Sequence, residues 1–88
     1  MDFTARVFVT PKAAILDPEG KAIASSLHSL GYDDVVDARV GKLILLHLHA
    51  ADQAAARSRI DEMCRRLLAN EVIEDYRFEL DAEGTTQS

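Results

Sequence analysis

The sequence predicts a small α+β fold. The expected form is a ferredoxin-like two-layer sandwich of order β-α-β-β-α-β, with a four-stranded antiparallel sheet and both helices on one face. Three observations carry that expectation. Phe3-Thr4-Ala5-Arg6-Val7 and Tyr76-Arg77-Phe78-Glu79-Leu80 alternate apolar and polar residues with the period of two that a half-buried strand requires. Two other segments repeat apolar residues at spacings of three and four, the period of a helix. Capping and turn residues stand at the junctions between them.

The first strand covers Phe3-Thr4-Ala5-Arg6-Val7-Phe8-Val9-Thr10, rich in β-branched and aromatic residues. Ala5, Val7 and Val9 point one way; Arg6, Phe8 and Thr10 point the other. Pro11 ends it, because it has no N–H to give a ladder. Asp17-Pro18 starts a helix, with Asp17 as cap and Pro18 in the first turn. Its stripe is Ile23, Leu27 and Leu30, and Gly31 stops it in a left-handed conformation. Gly20 in its first turn costs about 1 kcal/mol against Ala unless the backbone there is closely approached. Residues 35–40 read as a second strand, Gly41-Lys42 as a turn and residues 43–49 as a third strand. Asp52 caps a second helix whose stripe is Ala56, Ile60, Met63, Cys64, Leu67 and Leu68, with Asn70 as a left-handed stop. Residues 72–80 form the last strand. The domain is therefore 1–80, followed by a polar, flexible tail at 81–88.

Composition excludes several classes. Ten Lys and Arg against fifteen Asp and Glu give a formal net charge of −5, so the basic face that sequence-independent nucleic-acid binding needs is not expected. No run approaches the roughly 20 apolar residues of a membrane span. The opening residues lack the basic-then-apolar pattern of a secretory signal. A single cysteine fits a reducing, cytoplasmic setting. Eighty-eight residues suffice for one sheet and one helical layer, and a chain of that size buries only about 60–65% of its unfolded surface.

Strand three departs from alternation. Leu43-Ile44-Leu45-Leu46 is apolar on both faces, and Leu48 extends one of them. A continuous apolar run expects cover on both faces, while the helices supply it on one. Leu43, Ile44, Leu45, Leu46 and Leu48 are therefore the expected oligomer interface of a homodimer or higher oligomer.

Chemistry is sparse. His47 and His49 share one face of a strand and would make half of a metal site, but no third ligand stands near them. Cys64 lies on a buried helix stripe, where a thiol acts as a small hydrophobe rather than a nucleophile. In Asp33-Asp34 and Glu74-Asp75, adjacent side chains of extended chain point apart and form no acid/base dyad. No glycine-rich phosphate loop is present, so no catalytic residue, cofactor site or metal site is assigned. Lys12 and the turn Arg39-Val40-Gly41-Lys42 set basic residues where they can grip a partner's acidic groups.

Several segments together resemble the PurS family, the small subunit of phosphoribosylformylglycinamidine synthase. They are Phe8-Val9-Thr10-Pro11-Lys12, Ile15-Leu16-Asp17-Pro18-Glu19-Gly20-Lys21-Ala22-Ile23, Leu27-His28-Ser29-Leu30-Gly31-Tyr32 and Val36-Asp37-Ala38-Arg39-Val40-Gly41-Lys42. Met63-Cys64-Arg65-Arg66-Leu67-Leu68-Ala69-Asn70 and Val72-Ile73-Glu74-Asp75-Tyr76 complete the pattern. Glu71 departs from it, where the family commonly has proline. The resemblance implies a non-catalytic subunit, dimeric or a dimer of dimers. It would bridge a glutaminase subunit and a larger ATP-using synthetase subunit that converts formylglycinamide ribonucleotide to its amidine in purine synthesis. It also implies that ATP, magnesium and glutamine are used by the whole complex and not bound by this chain. Lys12, Arg39, Gly41 and Lys42 match family positions that the fold alone does not demand, and are expected to touch partner subunits. The other reading is a regulatory domain of the same topology that binds a small ligand. That reading expects a glycine-rich loop after the first strand, where this chain has Pro11-Lys12-Ala13-Ala14-Ile15-Leu16.

Overall fold

A computed structural model of the chain describes residues 1–83. The elements run β1 (Asp2–Pro11), α1 (Pro18–Ser29), β2 (Lys42–His49), α2 (Gln53–Met63), a π turn (Cys64–Leu68) and β3 (Glu74–Ala82). The sheet has the order β2-β1-β3. β1 lies between two antiparallel neighbours, with Phe8 opposite Leu43 on one side and Arg77 on the other.

The alternation in β1 sorts its residues as its sequence expects. Phe3, Ala5, Val7 and Val9 are buried. α2 lies over that face and adds Ala56 and Ile60 to the core, the π turn adds Cys64, and Ala69 follows it there. The edge strands flank this centre with partly buried residues, Ile44, Leu46 and Leu48 from β2 and Tyr76, Phe78 and Leu80 from β3. One helix is about 10–12 Å wide and cannot shield three strands spaced about 4.8 Å apart, so only the central strand is fully covered.

Both helix starts follow the sequence. Asp17 accepts from Gly20 N at 3.0 Å and Asp52 accepts from Ala55 N at 2.8 Å. Gly31 ends α1 with φ 97°, the left-handed position expected of it. The end of α2 differs from expectation, because no non-glycine residue has positive φ among those described. The helix widens into the π turn, and Ala69 N donates to Cys64 O at 3.0 Å. Asn70 acts through its side chain, which accepts from Val72 N at 3.1 Å. In a π turn each residue rotates less than in an α-helix. Leu68 is therefore carried inward, and Leu67, which α-helical spacing places in the stripe, is left 82% exposed.

Two expectations are corrected. Among the described residues the sheet has three strands, not four, because residues 35–40 form no ladder. The polar groups of that segment are taken elsewhere: Val40 N donates to Asp17 Oδ2 at 2.9 Å and Ala38 N to Asp37 Oδ1 at 2.8 Å. His28 Nε2 donates to Val35 O at 2.6 Å. The segment thus runs back along α1 instead of pairing with β2, and Gly41-Lys42 is no hairpin turn. The second correction concerns α1, which does not pack on the sheet beside α2. Gly20 is its one buried residue, and Ile23 and Leu30 are exposed. Together α1 and its return segment form an arm projecting from one end of the sheet. A ten-residue strand of about 33 Å and a twelve-residue helix of about 18 Å, end to end, account for the 50 Å long axis. The radius of gyration is 16.8 Å, against about 12 Å for a compact chain of this length. β3 continues to Ala82, two residues past the expected domain boundary, and residues 84–88 of the expected tail lie outside the described residues.

Candidate functional site

The chemistry-bearing side chains lie on three surfaces: the open sheet face, the root of the arm and the arm itself. The open face is built by the even residues of β1 and the odd residues of β2 and β3. Arg6 lies at its centre, donating from Nε to Glu79 at 3.0 Å and from Nη1 to Asp81 at 2.7 Å. These carboxylates raise the guanidinium pKa, while Arg6, followed by Arg77, holds Glu79 below the usual carboxylate range. Arg77 stacks on Phe8 with its guanidinium 4.1 Å from the ring centroid. Lys12 Nζ donates to Asp75 Oδ1 at 2.7 Å. All of these pairs are solvent-exposed, so they add little to stability and chiefly fix strand register.

His47 and His49 do share this face, but each takes its own carboxylate. His47 Nδ1 donates to Glu83 at 2.6 Å, and His49 pairs with Asp2. Thr4 also donates to Glu83, and the hydroxyl and the imidazole together hold that carboxyl below its usual range. No group of three or more His, Cys, Asp or Glu among the described residues is placed to hold a metal ion.

The apolar run of β2 divides between faces. Leu43 and Leu45 stand on the open face, 53% and 59% exposed, with Leu43 beside Phe8. Ile44, Leu46 and Leu48 turn to the helix side, where they pack partly against the core.

The root of the arm is a clip around Asp17 and Arg39. Asp17 accepts from Gly20 N in its own helix and from Val40 N in the return segment. Those two backbone donors, followed by the Arg39 charge at 3.9 Å, hold the carboxyl below its usual range. Arg39 donates to Lys12 O at 2.7 Å and to Pro11 O at 3.3 Å, with longer contacts to the carbonyls of Ala13 and Ile15. Arg39 therefore has a full structural role in holding the loop after β1. Gly20 is closely approached, since a Cβ there would lie 2.3 Å from Ala38 O. Gly41 is likewise pressed against β1, where a Cβ would meet Val9 O at 2.4 Å. Lys42 makes no ion pair among the described residues.

The remaining candidates have structural surroundings. Cys64 is buried beneath the sheet, and burial pushes its thiol pKa up. Glu74 accepts from Asn70 N at 2.8 Å, away from Asp75, which pairs with Lys12. The hollow after β1, between Ala13 and Asp17 on one side and Asp37 to Arg39 on the other, measures about 240 Å³. An adjoining hollow between Thr10, Pro11 and Ala13 on one side and Asp37, Arg39 and Asp75 on the other measures about 440 Å³. Among the described residues no helix is long and apolar enough to cross a membrane.

Sequence reasoning missed two links. Tyr76 donates to Asp61 Oδ1 at 2.6 Å, joining β3 to α2. The outward arm was also missed, although its apolar stripe was legible.

Comparison with known proteins places these surfaces in a family. A model described as PurS, phosphoribosylformylglycinamidine (FGAM) synthase, matches residues 4–82. The PurS subunit of Synechocystis sp. is 49% identical over 80 residues, covering 91% of this chain and 80% of that one. The solved structure of Bacillus subtilis PurS aligns with TM-score 0.79 at 41% identity, covering 91% of this chain and 99% of that one. A chain of the Thermotoga maritima PurLQS structure aligns with TM-score 0.85 at 27% identity, covering 92% of this chain and 99% of that one.

Proposed function

The chain belongs to the PurS family of phosphoribosylformylglycinamidine synthase subunits, and from that membership we propose how it serves the enzyme. It is a subunit of FGAM synthase in purine biosynthesis. Its role is assembly: it joins a glutaminase subunit, which releases ammonia from glutamine, to a larger subunit. The larger subunit uses ATP and magnesium to place that nitrogen on formylglycinamide ribonucleotide. Catalytic groups and nucleotide sites belong to those partners, and the complex works in the cytoplasm.

The observation that carries this reading is the match over nearly the whole chain, together with a likeness to a chain of the T. maritima PurLQS structure. The surfaces support it physically. An open sheet face with Leu43 and Leu45 exposed, and an arm whose apolar stripe touches little of its own chain, suit a subunit completed by neighbours. We assign self-association, as a homodimer or tetramer, to the apolar residues of β2 together with the arm. Lys12 and Lys42 flank the clip and are the stronger candidates for contact with the other subunits. Arg39 and Gly41 contribute by fixing the shape of that corner.

The test is reconstitution. Glutamine-dependent amidine formation by the glutaminase and synthetase subunits is measured with and without this chain, alongside ammonia-dependent formation. The expected result is loss of the glutamine-dependent rate without the chain while the ammonia-dependent rate stays. Equal glutamine-dependent rates in both mixtures would sink the proposal.

A further inference from the structure

The outer side of α2 is charged against the trend of the molecule. Residues 57–66 carry four arginines against two carboxylates, in a chain whose formal net charge is −5. Two of the arginines belong to the side of the helix that meets β3. Arg57 lies over the Phe78 ring, and Arg65 donates to Asp61, which also takes the Tyr76 hydroxyl. Arg59, Glu62, Met63 and Arg66 follow one another at spacings of three, one and three, so they share a second face, turned away from β3. They line a hollow of about 430 Å³. Arg59 makes no ion pair among the described residues, and Arg66 has only an exposed 3.5 Å contact to Glu62. The π turn extends this face with an apolar residue. Leu67, one turn on from Met63, is 82% exposed where α-helical spacing would have kept it in the stripe. Arginine and methionine are residues that interfaces favour.

We propose that this face of α2, with Arg59, Met63, Arg66 and Leu67, docks another subunit of the same synthase through a segment that sets acidic residues around an apolar pocket. The proposal rests on the assembly role given above and assigns a surface to it. A chain that joins two different partners needs two unlike surfaces. The corner of Lys12 and Lys42 supplies one, at the end of β1 and the start of β2, and α2 supplies the other. Charge selects the occupant. A second copy meeting this face through its own would set arginine against arginine, because a two-fold contact brings like residues together. A nucleic acid would meet two arginines beside Glu62 on an acidic chain, too little positive charge to displace its counterions. A carboxylate-bearing protein segment suits both guanidinium groups, which bind carboxylates through paired N–H donors, and its pocket covers Leu67. The π turn thus turns a core leucine into an anchor, an exposure that only a neighbour repairs.

The test titrates the full chain into a mixture of the glutaminase and synthetase subunits and follows glutamine-dependent amidine formation. The quantity read is the chain concentration that gives half the maximal rate. Wild type is compared with Leu67→Asp and with the double variant Arg59→Glu, Arg66→Glu, all at exposed positions of α2 and its π turn. Helical circular dichroism and the solution mass of each chain alone are measured beside it. The expected result is a half-saturating concentration raised about tenfold or more in both variants, with the maximal rate recovered at saturation and with unchanged dichroism and mass. The wild-type value should also rise with salt, and less steeply in the double variant. An unchanged half-saturating concentration in either variant overturns the docking face and leaves the assembly role standing. A changed mass of the variant chain alone gives the face to contact between copies and overturns the proposal too. A wild-type chain without effect on the glutamine-dependent rate overturns the assembly role, and the docking face with it.

Discussion

Asp17 and Tyr76 show how much one side chain can join. Asp17 caps its own helix and also takes the N–H of Val40, twenty-three positions away. The first role was legible from Asp17-Pro18, because capping is local. The second was not, since no spacing rule announces a partner that far along the chain. Its depressed pKa makes a pH prediction. A carboxyl held low in the folded state adds stability that is fully present above its unfolded pKa and is lost as pH falls through the folded value. Asp17→Asn should therefore lower the melting temperature at neutral pH by several degrees, with the gap to wild type closing in strong acid. A gap that persists unchanged at low pH would contradict the ionic role. Tyr76 has the opposite sign. Donation to Asp61, with burial second, pushes its phenol up to about 12. The stability this provides is present below the unfolded phenol pKa near 10 and fades as pH rises towards 12. In a Tyr32→Phe chain, absorbance titration should give a phenolate midpoint well above the ordinary range, and Asp61→Asn should bring it down. An ordinary midpoint in the first chain would remove the hydrogen bond from the account.

Among elements, those whose burial matches their period were the readable ones. β1, β3 and the first two turns of α2 lie where their patterns put them, because alternation and helical spacing report which side faces the core. The pattern at 35–40 is as strand-like as many true strands, but Asp17, Asp37 and His28 bind its polar groups and α1 supplies its neighbour. Local propensity lost there to side chains from another element. The clash distances at Gly20 turn this into a prediction. Glycine to alanine within a helix ordinarily gains about 1 kcal/mol. Here the new Cβ would lie 2.3 Å from Ala38 O and 2.6 Å from Asp17 Oδ2, so Gly20→Ala should destabilise the chain and free the return segment. Denaturant melts showing a gain would mean that the two segments do not touch. In the core, Ile60→Ala removes a side chain with no exposure and should cost about 2–5 kcal/mol by the same measurement.

For the molecule as a whole, the decisive quantity is how little the chain buries by itself. Among the described residues, eight buried hydrophobic residues, three of them alanines, hold together a structure that is 14 Å thick along its shortest axis. The sequence pointed to this through the doubly apolar run of β2, although the reason was partly different. One side of that run does face solvent, as Leu43 and Leu45 show, while the other side is only partly buried against the core. A stripe says that a helix wants an apolar neighbour and does not say which chain provides it, which is why the arm was not legible. If the neighbour is a second copy, folding and association are one equilibrium, and the midpoint of melting must depend on concentration. A tenfold dilution shifts a dimer's stability by about 1.4 kcal/mol. For some 150–250 residues melting together that is roughly 3–5 °C. Wild-type chain should show that slope in calorimetry across micromolar concentrations. Leu30→Asp, which touches nothing in its own core, should flatten the slope and lower the midpoint at the concentrated end. A wild-type midpoint independent of concentration, with the mass falling to that of one chain before the melt, would mean that the chain separates before it unfolds. Its thin core would then be sufficient alone, and the arm would be an accessory to the fold, not part of it.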